Sequence, residues 1–498
     1  MPNIPIDFTT GYYVDSAVKT ANRDVVNCWP ETNAQNQTTI LRSCENYQEQ
    51  EGTSTKNYGN SIIVGDTIYG IEGTGQFFSI DINSTTYTAI GSLPSAIFVP
   101  YRLATNGDSI VMVNYQSTTK THDFYYDIGT ATLATITSKD ADYSGFEKAI
   151  DVVYKDGYYL FITKNTLFHG DNFISTGDGL AFDPLSFAVI PAEAGDGRGV
   201  EVANSQVYAF TAKATLLYQT VATTPFSFSR SVGFDIDLGL TDPCAKITFE
   251  DSIFLLGKSS GTGASAFILS GQSYTQVSNS ELDALLRSLS YRAVMSTYRA
   301  NGHRMITMRS HLAQGTATDP LVLDYTETQI KGVPVWHRRT FSASGVWPIY
   351  EYFSTSESTS SFDAEGFAMG IRNSGFKGTT LYQVKNNEII GDPSEFDMAG
   401  LTRSMTYTFP AIRAGGDPFF IKSIRMMWSG SVQNVELFVT TDNNSFSSLG
   451  SFDLTTSTTK VAEWRRVNRF SDQAGFKIVF DSVNSSDNVT LIGGRYTA

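Results

Sequence analysis

The sequence predicts an all-β protein, built as a β-propeller of six or seven blades followed by a β-sandwich-like module. Three observations predict this fold. The composition is poor in charge and rich in aromatic residues, a strand–turn–strand unit recurs along the chain, and the strand pattern changes near residue 395. The chain has 498 residues, which exceeds the roughly 250–300 residues at which a single hydrophobic core usually gives way to several domains.

Composition alone excludes several classes of protein. Charged residues make up 17% of the chain and aromatic residues 13%, whereas an ordinary globular chain carries about 25% charged residues. So few charges, together with many Phe, Tyr, Gly, Ser and Thr residues, exclude a coiled coil, a disordered chain and a helical bundle. Aromatic and β-branched residues suit the pleated, half-buried surface of a sheet, so the composition favours an all-β fold.

A strand, a tight turn and a second strand form the recurring unit. Asn-Gly and Asp-Gly between two apolar runs are the strongest short-range signal for a β-hairpin, because both turn residues must accept a positive φ. Six turns of this general kind are Gly65-Asp66, Asn106-Gly107, Asp156-Gly157, Asn204-Ser205, Glu250-Asp251 and Asn301-Gly302. A looser seventh unit turns at 373–375.

Most units are followed by a third short apolar strand. These strands are predicted at 77–82, 124–129, 166–171, 215–220, 266–271, 321–326 and 380–385. Successive turns lie about 41, 50, 48, 46, 51 and 72 residues apart. A period of roughly 40–50 residues with three or four strands is typical of propeller blades. The long last step indicates either an insertion after Gly302 or a seventh unit that is not a true blade.

The strand pattern changes near residue 395. From there, six longer alternating strands are predicted within about 100 residues, which suits a β-sandwich. The sequence therefore predicts three parts. Residues 1–55 form an N-terminal segment that packs on the propeller, residues 56–395 form the propeller, and residues 396–498 form the sandwich-like module.

The charge of the chain is strongly acidic and unevenly distributed. The formal net charge is −14 at pH 7, which argues against a protein that grips nucleic acid, because binding to the phosphate backbone requires Lys and Arg. Residues 396–498 hold ten basic and nine acidic residues and carry +1, so residues 1–395 carry −15. We therefore predict that DNA can lie near this protein but that affinity for DNA is not the basis of its action.

Cysteine usage and hydropathy indicate the compartment. The three cysteines, Cys28, Cys44 and Cys244, form no CxxC pair, and an odd number at low density is typical of thiols in a reducing compartment. Residues 1–20 lack the basic and apolar regions of a secretion signal. No run of 18 apolar residues predicts a membrane-spanning segment.

No complete catalytic, metal-binding or cofactor-binding motif stands out in the sequence. Gly257-Lys258-Ser259 resembles the end of a phosphate-binding loop, but Ser252 stands where that motif requires glycine. Asp235 and Asp237 lack the longer ligand series of a calcium loop, and the five histidines show no zinc spacing. A dispersed Ser-His-Asp arrangement stays open. The sequence therefore predicts no cofactor, no metal site and no enzymatic activity.

Two clusters combine tryptophan with arginine, two residue types that are enriched at the centres of protein interfaces. The candidate contacts with another subunit or a partner are Trp336, Arg338, Arg339, Trp464, Arg465, Arg466 and Arg469. Two alternatives stay open for these clusters. One is an exposed cationic strand face of the propeller or sandwich without a partner, and the other is a contact with DNA.

An ordered series of segments resembles one protein family. Val26-Asn27-Cys28-Trp29-Pro30-Glu31 is similar to an N-x-Y-P-E segment of that family. Further similar segments are 182–183, 192–193 with Asp196, 215–218, 225–230, Gly239, 255–257, 302–303, 323–325, 336–339, 464–467 and 489–494. In this order they resemble the tail hub, or nozzle, proteins of short-tailed bacteriophages, also called packaged-DNA stabilisation proteins.

That resemblance implies a structural protein of the virion tail, assembled in the host cytoplasm. It implies a cyclic ring, usually a hexamer, below the portal and its adaptor. The ring would extend the DNA channel, retain the packaged DNA and carry tail fibres, a spike or a needle. An acidic channel wall would let DNA pass without adhering, since like charges repel. Two alternatives stay open, a propeller that binds or cleaves glycans and a periplasmic or surface propeller that binds a ligand.

Overall fold

The computed structural model describes most of the chain. The residues that it describes are 3–5, 25–32, 39–43, 46–52, 58–72, 75–84, 86–94, 101–171, 180–221, 223, 225–259, 263–279, 282–283, 286, 293–310, 320–340, 349–353, 364–371, 379–385, 404–409, 412–413, 418–430, 432–441, 445–470, 473–482 and 489–497. β-Strands dominate these ranges. The α-helices whose two ends are described are Ile136–Lys139 and Tyr325–Lys331. Short 3-10 helices lie at Lys120–His122, Ala141–Gly145 and Ala192–Ala194. The fold is all-β, as predicted.

Seven antiparallel sheets form the blades of a propeller, numbered here in chain order. The strands of blade one are Tyr58–Val64, Thr67–Glu72, Gln76–Asp81 and Tyr87–Ser92, and those of blade two are Tyr101–Thr105, Ser109–Asn114, Asp123–Asp127 and Thr132–Thr135. Blade three consists of Asp151–Lys155, Tyr158–Ile162, Thr166–Asp171 and Ala181–Val189, and blade four of Gly197–Ala203, Gln206–Thr211, Thr215–Thr220 and Phe228–Arg230. In each of these sheets the strands pair in sequence order.

The last three blades depart from this simple meander. Blade five consists of Gly239–Leu240, Lys246–Phe249, Ser252–Lys258, Ser265–Ser270 and Ser273–Gln276, and blade six of Ala293–Ala300, His303–Ser310, Leu321–Asp324 and Val335–Arg338. Blade seven consists of Ile349–Phe353, Ala364–Ile371, Thr379–Lys385 and Asn46–Gly52. The fourth strand of blade seven therefore comes from the N-terminal part of the chain and pairs antiparallel with Thr379–Lys385.

Contacts between the blades close the propeller into a ring. The first strand of each blade contacts the first strand of the next, with Lys246–Phe249 serving this role in blade five. The first strand of blade seven contacts that of blade one. Because a single blade cannot bury both of its faces, this circular packing is what supplies its core.

Six predicted hairpin turns join the first and second strands of blades one to six, as expected from their residue types. Asp156 and Gly157 have φ values of 51° and 93°, and Asn301 and Gly302 have 52° and 79°. Positive φ at both positions is what a two-residue hairpin turn requires. The seventh predicted turn, at 373–375, lies outside the described residues. It falls between the second and third strands of blade seven, which explains the long last step of the repeat.

The C-terminal part forms two packed sheets, and early strands complete both. One sheet contains Cys28–Thr32, Thr39–Ser43, Val489–Thr497, Phe419–Gly430 and Val461–Phe470, with Asn3–Pro5 added to Val489–Thr497. The other contains Val25–Val26, Ser404–Thr408, Gln473–Ser482, Val432–Thr440 and Ser447–Asp453, with Ile412–Arg413 paired to Gln473–Ser482. The core between them holds buried Ile424, Trp428, Leu437, Ile478 and Leu491.

One short strand joins the propeller to the sandwich. Val26 pairs in parallel with Arg338 of blade six and antiparallel with Thr406 of the sandwich. Blade six and one sandwich sheet are therefore a single continuous sheet of ten strands. Strands before residue 53 thus pair with blade six, blade seven and the sandwich, and the predicted division of the chain at residues 55 and 395 stays a prediction.

Candidate functional site

A cluster of four charged side chains joins four successive blades at their first strands. Asp151 of blade three is fully buried, and its carboxylate lies 2.8 Å from Nε of Arg102 in blade two and 2.8 Å from Nζ of Lys246 in blade five. Glu201 of blade four lies 3.0 Å from the same lysine. Asp151 also accepts a hydrogen bond of 2.9 Å from the backbone N–H of Val200. Every member therefore has an oppositely charged partner.

The electrostatics of this cluster are those of a structural cross-link. Burial raises the pKa of Asp151, but Arg102 and Lys246 outweigh burial and bring that pKa below its ordinary value. Burial lowers the pKa of Arg102, and Asp151 more than restores it. Asp151 and Glu201 are thus paired with cations, whereas a glycosidase needs one carboxylic acid and one carboxylate facing its substrate.

Nothing in the described ranges groups three or more His, Cys, Asp or Glu side chains in a way that could hold a metal ion. Cys28 and Cys244 are both buried thiols, and the Cys28 thiol donates to the carbonyl of Thr406. Burial raises the pKa of the Cys244 thiol to about 11, and a thiol with so high a pKa is a poor nucleophile. Of the helices that are described, none is long and apolar enough to span a membrane.

Trp336 and Arg339 of the first tryptophan–arginine cluster are buried within the protein. Trp336 is 2% exposed, and its indole N–H donates a 2.7 Å hydrogen bond to the carbonyl of Val277. Arg339 is fully buried, donates to the hydroxyl of Tyr298 and lies over the ring of Trp29, with 5.3 Å between Cζ and the ring centroid. The contacts of these two side chains, Trp336 and Arg339, are thus with blade five, blade six and the N-terminal strand.

A buried polar seam surrounds Trp29, between blade six and the N-terminal strand. Asn27 has a φ of 55°, donates to the carbonyls of Thr340 and Ser404 and accepts from the N–H of Thr340. Asparagine is among the few residues that tolerate this backbone conformation. Asn27 thereby ties a propeller segment to a sandwich strand.

The pKa values of two histidines in the seam are shifted in opposite directions. Burial lowers the pKa of His303, but the hydrogen bond and charge of Asp324, 2.8 Å away, outweigh burial and raise it above its ordinary value. Burial, with the charges of Arg339 and His303, lowers the pKa of His337 well below its ordinary value. His337 is therefore a neutral imidazole in the folded protein at pH 7.

The second cluster divides between core and surface. Trp464 is 4% exposed, packs in the sandwich core and donates a 2.9 Å hydrogen bond to the carbonyl of Gly450. Arg465, Arg466 and Arg469 are exposed. A bulge, at which the register shifts between Ile421 and Ser423 of the neighbouring strand, and the φ of 57° at Arg466 allow consecutive residues to point outward.

The strand register extends these arginines into a cationic sheet face. On the outer side of the sheet, Arg425 pairs with Glu463 on one neighbouring strand and with Arg495 on the other. Lys422 is exposed at the bulge. The hydrogen bond from Arg465, together with Arg425 and Arg495, lowers the pKa of Glu463. We call this surface the cationic face, and its members are Lys422, Arg425, Arg465, Arg466, Arg469 and Arg495.

The cationic face also exposes apolar side chains. Phe420, which pairs with Arg469, is 48% exposed, Met427 is 44% exposed and Ile492 is 48% exposed. An exposed apolar set among arginines is the composition of a protein-binding surface. Of the residues proposed from sequence, the structure therefore places Arg465, Arg466 and Arg469 on one face and separates them from buried Trp336 and Arg339. Arg338 is half-buried and pairs with the joining strand through its backbone.

The family model described as "Bacteriophage P22 Gp10, beta-propeller" matches residues 34–351, which is more than half of the chain. The chain belongs to this family. It is the family of phage tail nozzle, or stabilisation, proteins that the ordered segments resemble. The match spans blades one to six and the beginning of blade seven.

Three solved structures with a similar outline are distant from this chain in sequence. They include U3-55K (TM-score 0.39, 6% identity, 68% of this chain and 98% of that one) and a computationally designed protein, Ika8 (0.35, 9%, 73% and 100%). A third is the β-propeller domain of Cps50 (Swd1) from Myceliophteria thermophila (0.38, 9%, 68% and 99%). Scores this low carry no functional argument. No curated protein matches the sequence.

The charged cluster and the seam were missed by sequence reasoning. The cluster left one signal, since the first strands of four successive blades each carry an ionisable residue among apolar neighbours: Arg102, Asp151, Glu201 and Lys246. These residues lie four, five, three and four positions before the first residue of the hairpin turn, so aligning the repeats does not place them in one column. The seam left no comparable signal, because its parts lie about 300 residues apart in the chain.

Proposed function

We propose that this chain is a structural protein of the virion tail that assembles as a cyclic ring, a hexamer, below the portal-adaptor protein. The ring extends the DNA channel, retains the packaged DNA and serves as the attachment platform for tail fibres, a spike or a needle. The chain assembles in the host cytoplasm and acts without catalysis. The observation that carries this proposal is the family match across residues 34–351.

The architecture supports a mechanical role. The seven blades close on themselves, and their first strands are cross-linked by buried ion pairs. The continuous ten-stranded sheet couples the propeller to the sandwich. A rigid block of this kind can meet an identical copy through a fixed pair of surfaces, and such contacts close into a ring when the rotation between copies is right.

The distribution of charge supports passage of DNA through the ring. Residues 1–395 carry −15, and an acidic wall repels a polyanion, which shortens its residence at the wall. DNA therefore moves through the channel without specific binding. A map of the assembled tail tests this point, since a lumen lined mainly by Lys and Arg contradicts it.

Deleting the gene from a phage that encodes this chain tests the role in the tail. Without the chain, heads are expected to package DNA and then to lose it, and micrographs are expected to show heads with truncated tails. Supplying the wild-type chain in trans is the control and should restore filled, infectious particles. Particles that lack the chain but keep their DNA and infect the host would contradict the proposal.

The glycan-cleaving alternative has a direct test of its own. Purified chain is incubated with host-surface polysaccharide, and released reducing ends are measured. We expect no release above that of a blank without protein, because the carboxylates of Asp151 and Glu201 are held by Arg102 and Lys246. Release above the blank that grows with protein concentration would favour the enzyme instead.

A further inference from the structure

The outer edge of blade three exposes an unusual apolar stripe. Its fourth strand, Ala181–Val189, lies at the edge of the sheet, and Leu185, Phe187 and Val189 are 67%, 40% and 65% exposed. Phe187 and Val189 are two residues apart and share one side of the strand. An exposed apolar strand edge is a usual place for another protein surface to bind.

Acidic residues surround this stripe. The N–H of Phe182, at the start of the strand, donates to the carboxylate of Asp140. At the other end, the N–H of Ile190 donates to the carbonyl of Asn165, whose side chain donates to the carboxylate of Glu147. The segment 140–147 therefore runs beside the strand.

Exposed carboxylates complete this surface. Asp142, Glu147 and Asp183 are exposed. We call the surface formed by Asp142, Glu147, Asp183, Leu185, Phe187 and Val189 the acidic edge. It belongs to an acidic part of the propeller, since residues 139–237 hold thirteen acidic and seven basic residues.

The acidic edge and the cationic face complement each other. Each combines exposed apolar side chains with charged ones, and their charges are opposite. A cationic face cannot meet a second cationic face across a two-fold axis, because like charges would lie opposite one another. When each copy offers its cationic face to the acidic edge of a different neighbour, the contact is head-to-tail, and such contacts close a ring or propagate.

We propose that the cationic face of one copy docks onto the acidic edge of blade three of a second copy, and that repetition of this contact builds the ring. This inference rests on the proposed function. Arg465 and Arg469 oppose the carboxylates of the partner, while Phe420, beside Arg469, packs on the apolar stripe. Charge guides the encounter and fixes the register, and apolar burial supplies the affinity.

A second copy fits the cationic face better than duplex DNA does. Phosphate groups would satisfy the arginines, but they would leave Phe420, Met427 and Ile492 in contact with water. The acidic edge offers carboxylates for the arginines and an apolar stripe for the exposed apolar side chains. Because every copy of the chain carries an acidic edge, each cationic face in a ring has one available.

Charge exchange between copies tests the contact. One full-length variant carries Arg465→Glu and Arg469→Glu, and a second carries Asp142→Lys and Asp183→Lys. In sedimentation velocity at low salt, up to the solubility limit, the wild-type chain is expected to associate. Each variant alone is expected to associate at least about tenfold more weakly, because like charges then face one another. A mixture of the two variants restores association, since each copy again finds an opposite charge.

Controls separate this contact from general charge effects. Lys258→Glu with Arg299→Glu, on exposed positions of blades five and six, makes the same change of charge and is expected to leave association unchanged. A wild-type chain that stays monomeric throughout, or a mixture that fails to recover, overturns the inference. Loss of binding to random-sequence duplex DNA in the arginine variant, with no self-association of the wild type, assigns the face to DNA and also overturns it.

Failure of the inference is distinguishable from failure of the proposed function. If virions lacking the chain lose their DNA while the charge-exchange experiment fails, the nozzle role stands and another pair of surfaces builds the ring. If such virions keep their DNA, the proposed function itself is wrong.

Discussion

The buried charged cluster of the propeller and the cationic face of the sandwich use their charges in opposite ways. In the propeller, Arg102, Asp151, Glu201 and Lys246 are paired with one another across four blades, and Asp151 and Lys246 have no exposed surface. On the sandwich, the cationic face leaves six basic side chains with Glu463 as the only carboxylate that the described strands place among them. The contrast indicates that the buried charges stabilise the fold, whereas the exposed charges are accessible to a second molecule.

The largest expected effect comes from breaking the buried cluster. Asp151→Asn leaves Arg102 and Lys246 with Glu201 as their remaining anion, and removing one partner of a buried ion pair costs about 3–5 kcal/mol. Denaturant unfolding should show this loss in the free energy of unfolding. Asp156→Asn, an exposed acid in the same blade, is the matched control. A loss no larger than that of the control would mean that the cluster does not hold the blades together.

A somewhat smaller effect is expected at the seam. Asn27→Ala removes three hydrogen bonds of 3.0, 3.1 and 3.0 Å and forces alanine into a positive φ. We expect a loss of about 2.5–3.5 kcal/mol, from roughly 0.5 kcal/mol for each of the three bonds and 1–2 kcal/mol for the backbone. Asn27→Gly accepts the backbone and should recover about 1 kcal/mol. Equal losses for the two variants would exclude the backbone contribution.

The seam also predicts a dependence of stability on pH. His337 has a lowered pKa when folded, so the unfolded chain binds more protons below the ordinary pKa of about 6.5, and stability falls as the pH drops through that value. The slope from this group reaches at most about 1.4 kcal/mol per pH unit. His303 acts oppositely, because its pKa is raised and its contribution is lost as the pH rises.

The variant His337→Phe isolates the first effect. Unfolding measured between pH 7 and pH 5 should show a shallower loss of stability in this variant than in the wild type. His303→Gln should instead change the profile above about pH 6.5, because it removes the stability that is lost as the pH rises through the raised pKa of His303. Identical pH profiles for the wild type and His337→Phe would show that the folded protein protonates His337 freely.

The smallest effect is expected on the cationic face. Arg465→Ala should leave the free energy of unfolding unchanged within error, because its side chain is 77% exposed and its bond to Glu463 is screened by water. Thermal unfolding provides the measurement. A clear destabilisation would mean that this arginine supports the fold, and it would weaken the contrast with the buried cluster.

Local chemistry made the blades predictable. The turns at Asp156-Gly157 and Asn301-Gly302 depend on residues that accept positive φ, a property that each residue carries wherever it stands. The long-range pairings were not predictable in this way. The strand 46–52 completes blade seven by pairing with residues more than 300 positions later, and no local pattern marks that partner.

Whether a side chain is buried or exposed was harder to infer from the sequence than whether it lies in a strand or a turn. Trp336 and Arg339 belong to a segment that reads as a partner-binding cluster, yet strands from elsewhere in the chain cover both sides of it. Arg465 and Arg466 read the same way and are exposed, because the bulge turns consecutive residues outward. Residue type was therefore the same in the two clusters, and only tertiary packing separates them.

Completion of blade seven by residues 46–52 has a consequence for synthesis. During translation this stretch leaves the ribosome long before its partner at 379–385 exists, so it must stay unpaired while six other sheets form. Joining segments so far apart is slow, because the chain must close a very long loop first. A nascent chain halted before residue 379 would hold an unclosed arc of blades with exposed apolar surface. The final stretch of synthesis is therefore the stage at which a chaperone matters most.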